Sequence, residues 1–148
     1  MEPSENKTSE IAGTLFDQNF NCAQSVFASF ASQLGMEERR MLKMASPFGG
    51  GVARRGHICG AVTGGLMALG LGRGAETPLG KEAAYQIGQE FMARFESRHG
   101  SIMCRVLLDC DISTEAGSQQ AREKGLFKTI CPQFVRDAVA IAQDMLDK

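Results

Sequence analysis

Apolar residues recur at helical spacing along almost the whole chain. In "NCAQSVFASFASQLG" (residues 21–35), Ala23, Val26, Phe27, Phe30, Ala31 and Leu34 share one helical face. Gly35 is a natural C-terminal stop. The stretch "MEERRMLKMASPFGG" predicts a shorter helix that ends before Pro47. In "GKEAAYQIGQEFMARFESRHG", Ala84, Ile87, Gly88, Phe91, Met92 and Phe95 form a stripe closed by Gly100. "SIMCRVLLD" predicts a helix capped by Ser101, and "STEAGSQQAREKG" one capped by Ser113 or Thr114. "CPQFVRDAVAIAQDMLDK" closes the chain with Phe134, Val135, Ala138, Val139, Ala142, Met145 and Leu146 on one face. No segment alternates apolar and polar residues with β-branched enrichment, so no strand is predicted.

One segment departs from the amphipathic pattern. "HICGAVTGGLMALGLG" is apolar nearly all round, which marks a buried helix. Its Gly60, Gly64 and Gly65, with Ala61, leave a smooth face on which another helix can approach closely. The expectation is an all-α, single-domain bundle spanning 1–148, with about seven helices around this glycine-rich centre. The polar start, residues 1–8, reads as a flexible N-terminus.

Composition narrows the function classes. A net charge of -1 gives no general electrostatic case for nucleic acid or an acidic membrane surface. The absence of tryptophan, with only one tyrosine, removes most base-stacking platforms. The start lacks the basic and apolar regions of a signal peptide, and no apolar run reaches the roughly 20 residues of a membrane span. A cytoplasmic protein that neither binds nucleic acid nor inserts in membranes is expected. In such a protein structural disulfides are rare, so five cysteines point to thiol chemistry, metal binding or burial.

Spacing alone says little of Cys22, Cys59, Cys104, Cys110 and Cys131, since no CxxC pair occurs. Their places on the predicted helices say more. Cys22, Cys59 and Cys104 fall in first turns, and Cys131, ahead of Pro132, reads as an N-cap. Unpaired N–H groups and the positive end of the dipole favour a thiolate there and lower its pKa. The approach "PFGGGVARRGH" adds Gly49, Gly50, Gly51 and Gly56, which can expose N–H groups as an anion-binding nest. Arg54, Arg55 and His57 add positive charge for an anionic substrate. Cys59 is therefore the expected attacking thiolate, with Cys22, Cys104 and Cys131 as its partners. The approach matches neither GxGxxG nor a P-loop.

These residues carry a family resemblance. "CGAVTGG", Cys59 to Gly65, is similar to the CGAxxG element of the bacterial and archaeal C_GCAxxG_C_C family of redox-active proteins. "FNCAQSV", "GSIMCRVLLDCDIST" and "CPQFVRDAV" supply the other family cysteines as Cys22, Cys104 and Cys131. The resemblance covers roughly residues 10 to 146 and implies a small helical domain with four characteristic cysteines and a redox role. Cys110 is outside that set, either a bystander or a resolving thiol.

Three functions fit these readings. Two of the four cysteines can cycle between dithiol and disulfide with an unidentified redox partner. Alternatively Cys22, Cys59, Cys104 and Cys131 ligate one zinc or iron–sulfur centre. In the third, the cysteines are core residues of a helical interaction domain. The glycine-faced helix suits a homodimer as well as the protein's own core.

Overall fold

The computed structural model describes the backbone of residues 3–148 and the side chains of residues 7–148. Among these residues the chain forms α1 (Pro3–Asp17), α2 (Cys22–Ala28), α3 (Ala31–Leu34), α4 (Glu38–Ala45) and α5 (Gly60–Arg73). It continues with α6 (Lys81–His99), α7 (Cys104–Leu107), α8 (Glu115–Glu123), α9 (Leu126–Thr129) and α10 (Cys131–Leu146). No named strand occurs among the described residues, so the all-α expectation holds.

Three of the ten helices, α3, α7 and α9, are single turns of four residues, which leaves seven longer ones. They are not the same seven that the pattern predicts. The first, α1, lies in the polar start; part of the expected flexible stretch (residues 1–2) falls outside the described residues, and from Pro3 the chain is helical. The segment 21–35 divides at Ser29 and Phe30, where the Ser29 hydroxyl donates to the Val26 carbonyl at 2.6 Å. A hydroxyl that bonds back to its own helix competes with the helical ladder. Ser101 does not cap a helix. Its Oγ accepts from the Met103 N–H at 2.9 Å, and α7 starts only at Cys104.

Other signals work as read. Thr114 caps α8 by accepting from the Gly117 N–H at 2.9 Å. Asn21 forms a capping box on α2: its side chain accepts from the Gln24 N–H (2.8 Å), while its own N–H donates to the Gln24 side chain (3.0 Å). Gly35 and Gly100 take left-handed conformations at helix ends.

α5 is the central helix, in contact with α2, α6 and α10. Its glycines are what allow this. A Cβ on Gly64 would lie 2.7 Å from the Ala23 carbonyl oxygen of α2. A Cβ on Gly65 would overlap the Phe91 ring of α6. Around α5, the core takes Phe27 and Phe30, Phe91 and Phe95, and the apolar face of α10 from Phe134 to Met145. Each fully buried Phe contributes roughly 1.5–3 kcal/mol relative to exposure. No helix among the described residues is long and apolar enough to cross a membrane.

Candidate functional site

The chain between α4 and α5 winds the wrong way. Gly50, Gly51, Val52, Ala53 and Arg54 all have positive φ, between 52° and 71°. Three of these are not glycine, and left-handed backbone costs such residues about 1–3 kcal/mol each. Hydrogen bonds hold the turn. The Ala53 N–H donates to the Pro47 carbonyl (2.8 Å), that of Arg54 to Gly49 (3.0 Å) and that of His57 to Gly51 (2.9 Å). The N–H groups of Arg55 and Gly56 donate to Val52 and Gly50. The N–H groups of residues 53–57, that of Gly56 among them, are thus committed inside the loop.

The glycines make room for cysteines. A Cβ on Gly51 would sit 2.7 Å from the Cys104 Cβ, and one on Gly60 would sit 3.2 Å from the Cys22 Cβ. Beyond the turn, Ile58 forms an isolated antiparallel β-bridge with Met103. The Cys59 N–H donates to the Ile102 carbonyl (2.7 Å) and the Cys104 N–H to the His57 carbonyl (2.6 Å). This bridge sets the starts of α5 and α7 side by side.

The four helix starts therefore meet. Cys22, Cys104 and Cys131 are the first residues of α2, α7 and α10, and Cys59 is the N-cap of α5. Cys131 is one position inside its helix, since Ile130 is the cap residue and Pro132 takes the second position. All four cysteines line one inner cavity of about 40 Å³, together with Gly50, Gly51 and Phe134. Phe134 packs edge-on against His99, with ring centroids 4.9 Å apart. All five cysteines carry free thiols.

The thiols differ in their electrostatics. Burial pushes Cys59 up to about 11, against the helix-start N–H groups of Ala61 and Val62, which act in the opposite direction. Burial and then the neighbouring Cys59 push Cys104 up to about 12. Cys22 and Cys131 act on each other: a side-chain hydrogen-bond interaction with Cys131, ahead of burial, holds Cys22 well above the ordinary thiol value, and the same interaction lowers Cys131. Of the two, Cys131 is the one inclined towards the thiolate. At Cys59 the helix-start N–H groups act in the expected direction, and burial outweighs them.

Cys22 and Cys131 also reach a second, larger space. A cleft of about 820 Å³ is lined by both of them. Phe16, Phe20 and Phe127 form part of its wall, and Arg54, Arg122 and Lys128 bring positive charge. Of the anion-binding candidates, Gly49, Gly50 and Arg54 line this cleft, and Gly51 lines the inner cavity. Arg55 and His57 are exposed and line neither. Arg122 and Lys128 carry no motif in the sequence; only the fold brings them to the cleft. Cys110 lies apart, its thiol donating to the Gly117 carbonyl at 3.0 Å.

Residues 20–145 match the model of the family described as "Putative redox-active protein (C_GCAxxG_C_C)". The chain belongs to the C_GCAxxG_C_C family. The four cysteines that the resemblance marks, Cys22, Cys59, Cys104 and Cys131, are the ones that line the inner cavity. The chain is also 38% identical over 72 residues to an uncharacterized protein of Archaeoglobus fulgidus, a match covering 48% of this chain. The match spans about half (47%) of that relative's own length. No solved structure matches the chain.

Proposed function

We propose that the protein is a dithiol–disulfide redox protein whose working pair is Cys22 and Cys131. The observation that carries this reading is that Cys22 and Cys131 line the open cleft together, whereas Cys59 and Cys104 line only the inner cavity. Cys131 attacks a disulfide in the cleft, forming a mixed disulfide and expelling one thiolate, which takes a proton. Cys22 then loses its proton and attacks the Cys131 sulfur, releasing the second thiolate. Two electrons pass to the acceptor, and Cys22–Cys131 becomes a disulfide. Cys59 and Cys104, held protonated behind the pair, are positioning residues that keep the helix starts together.

The four thiols also face one cavity, which favours a second reading, a four-thiolate zinc or iron–sulfur centre. Their arrangement fits it poorly. Among the described residues no group of three or more His, Cys, Asp or Glu side chains is placed to hold a metal ion.

The test is purification without oxygen, followed by assays of iron, zinc, sulfide and thiols. The dithiol reading expects a metal-free protein that gains and loses one disulfide, mapped by mass spectrometry to Cys22 and Cys131. Stoichiometric iron and sulfide, or a reversible disulfide elsewhere, would overturn it.

A further inference from the structure

We infer that the cleft binds a small anionic disulfide, which serves as the oxidant of the Cys22–Cys131 pair; this rests on the dithiol reading above. Three features of the cleft point to such a ligand. The first is charge. Arg54 comes from the left-handed turn, Arg122 from α8 and Lys128 from α9, so three separate segments deliver cations to one space. None of the three forms an ion pair among the described residues, and Asp17 is the single carboxylate of the lining. The chain as a whole carries a net charge of -1, so this is a local concentration and not a reflection of a basic protein.

The second feature is size. About 820 Å³ is within the range of small-molecule sites and accommodates a ligand of several dozen heavy atoms. The third is the position of the sulfurs. Phe16, Phe20 and Phe127 offer apolar surface for the ligand's carbon skeleton, while Cys22 and Cys131 line the same space. A ligand with carboxylates at its ends and a disulfide in its middle satisfies cations, aromatic wall and thiols at once. In the reaction its S–S bond breaks and the Cys22–Cys131 bond forms. The two protein thiols lose two protons and two electrons, and the ligand leaves as two thiols.

The experiment uses the full chain, reduced and kept without oxygen. Thiol consumption is followed with three disulfides: glutathione disulfide (anionic), hydroxyethyl disulfide (neutral) and cystamine (cationic). Each rate is divided by that of the same disulfide with free dithiothreitol, which removes intrinsic reactivity. The expected anionic-to-neutral ratio is about tenfold at low ionic strength. It falls towards one in high salt, as screened steering requires. Arg122→Gln with Lys128→Gln lowers the ratio several-fold, while Lys81→Gln, remote on α6, does not. The salt dependence of the unmodified protein keeps the test valid if the double variant folds poorly.

A ratio near one at low salt, or cystamine reacting fastest, would overturn the anionic ligand and leave the dithiol reading standing. Failure of all three disulfides to oxidise the native protein would overturn both.

Discussion

Two pairs of cysteines share one local address and differ in almost everything else. Cys22 and Cys131 begin helices at the cleft; Cys59 and Cys104 begin helices behind them, clamped by the bridge between Ile58 and Met103. All four thiols sit at the positive end of a helix. Only Cys131 is lowered, and its side-chain interaction with Cys22 is the largest cause. Cys59 has N–H groups pointed at it and is still pushed to about 11. A helix start inclines a cysteine towards the thiolate, but burial without such an interaction reverses the balance.

The largest effect should come from removing the front sulfur. Cys131→Ser abolishes reversible disulfide formation, while Cys59→Ser retains it, read by intact-mass analysis through cycles of oxidation and reduction. Equal loss in both variants would erase the distinction between the pairs. Next is the turn that holds the back pair. Gly51→Ala puts a Cβ 2.6 Å from the His57 nitrogen at a φ of 71°. It should lower unfolding free energy by about 2–4 kcal/mol in urea titrations.

The third prediction concerns pH. Cys59 rises from 9.0 to about 11 on folding, so the unfolded chain loses this proton first. The contribution is fully present below pH 9 and is lost as pH rises towards 11, a decline on the order of 2–3 kcal/mol. Denaturant midpoints across that window check it. At neutral pH, iodoacetamide should label Cys131 before Cys59 and Cys104, as peptide mapping would show. The smallest effect is at Cys110, whose thiol donates to a carbonyl outside both cavities. Cys110→Ser keeps that bond and should leave cycling intact and stability within about 0.5 kcal/mol.

The sequence carries the helices wherever a helix presents an apolar stripe to the core. The faces of α6 and α10 and the glycine face of α5 are legible because packing imposes their period. The one-turn α7 is too short to show a period, and α1 begins in a polar stretch whose composition conceals it. The cysteines' place at helix starts is local information, and it survives. Their convergence is not local: it depends on a β-bridge between residues far apart and on a turn wound left-handed. Nothing in "GGGVARR" separates glycines that expose N–H groups from glycines that make room for a neighbour's Cβ. The contrast between Cys59 and Cys131 is likewise not legible in the sequence, because it depends on Cys22, a residue distant along the chain that the fold brings beside Cys131.

That separation along the chain has a consequence for synthesis. The bridge between Ile58 and Met103 closes a loop that contains α5 and α6, so the back sulfurs can be brought together while the rest of the polypeptide is still being made. Cys131 opens α10, and its partner Cys22 opens α2, on the other side of that loop in the chain. Closing so long a segment is the slow, entropically unfavourable part of folding. In a nascent chain whose α10 has not yet been made, Cys22 therefore has no Cys131 beside it, and the proposed pair waits on the synthesis of α10.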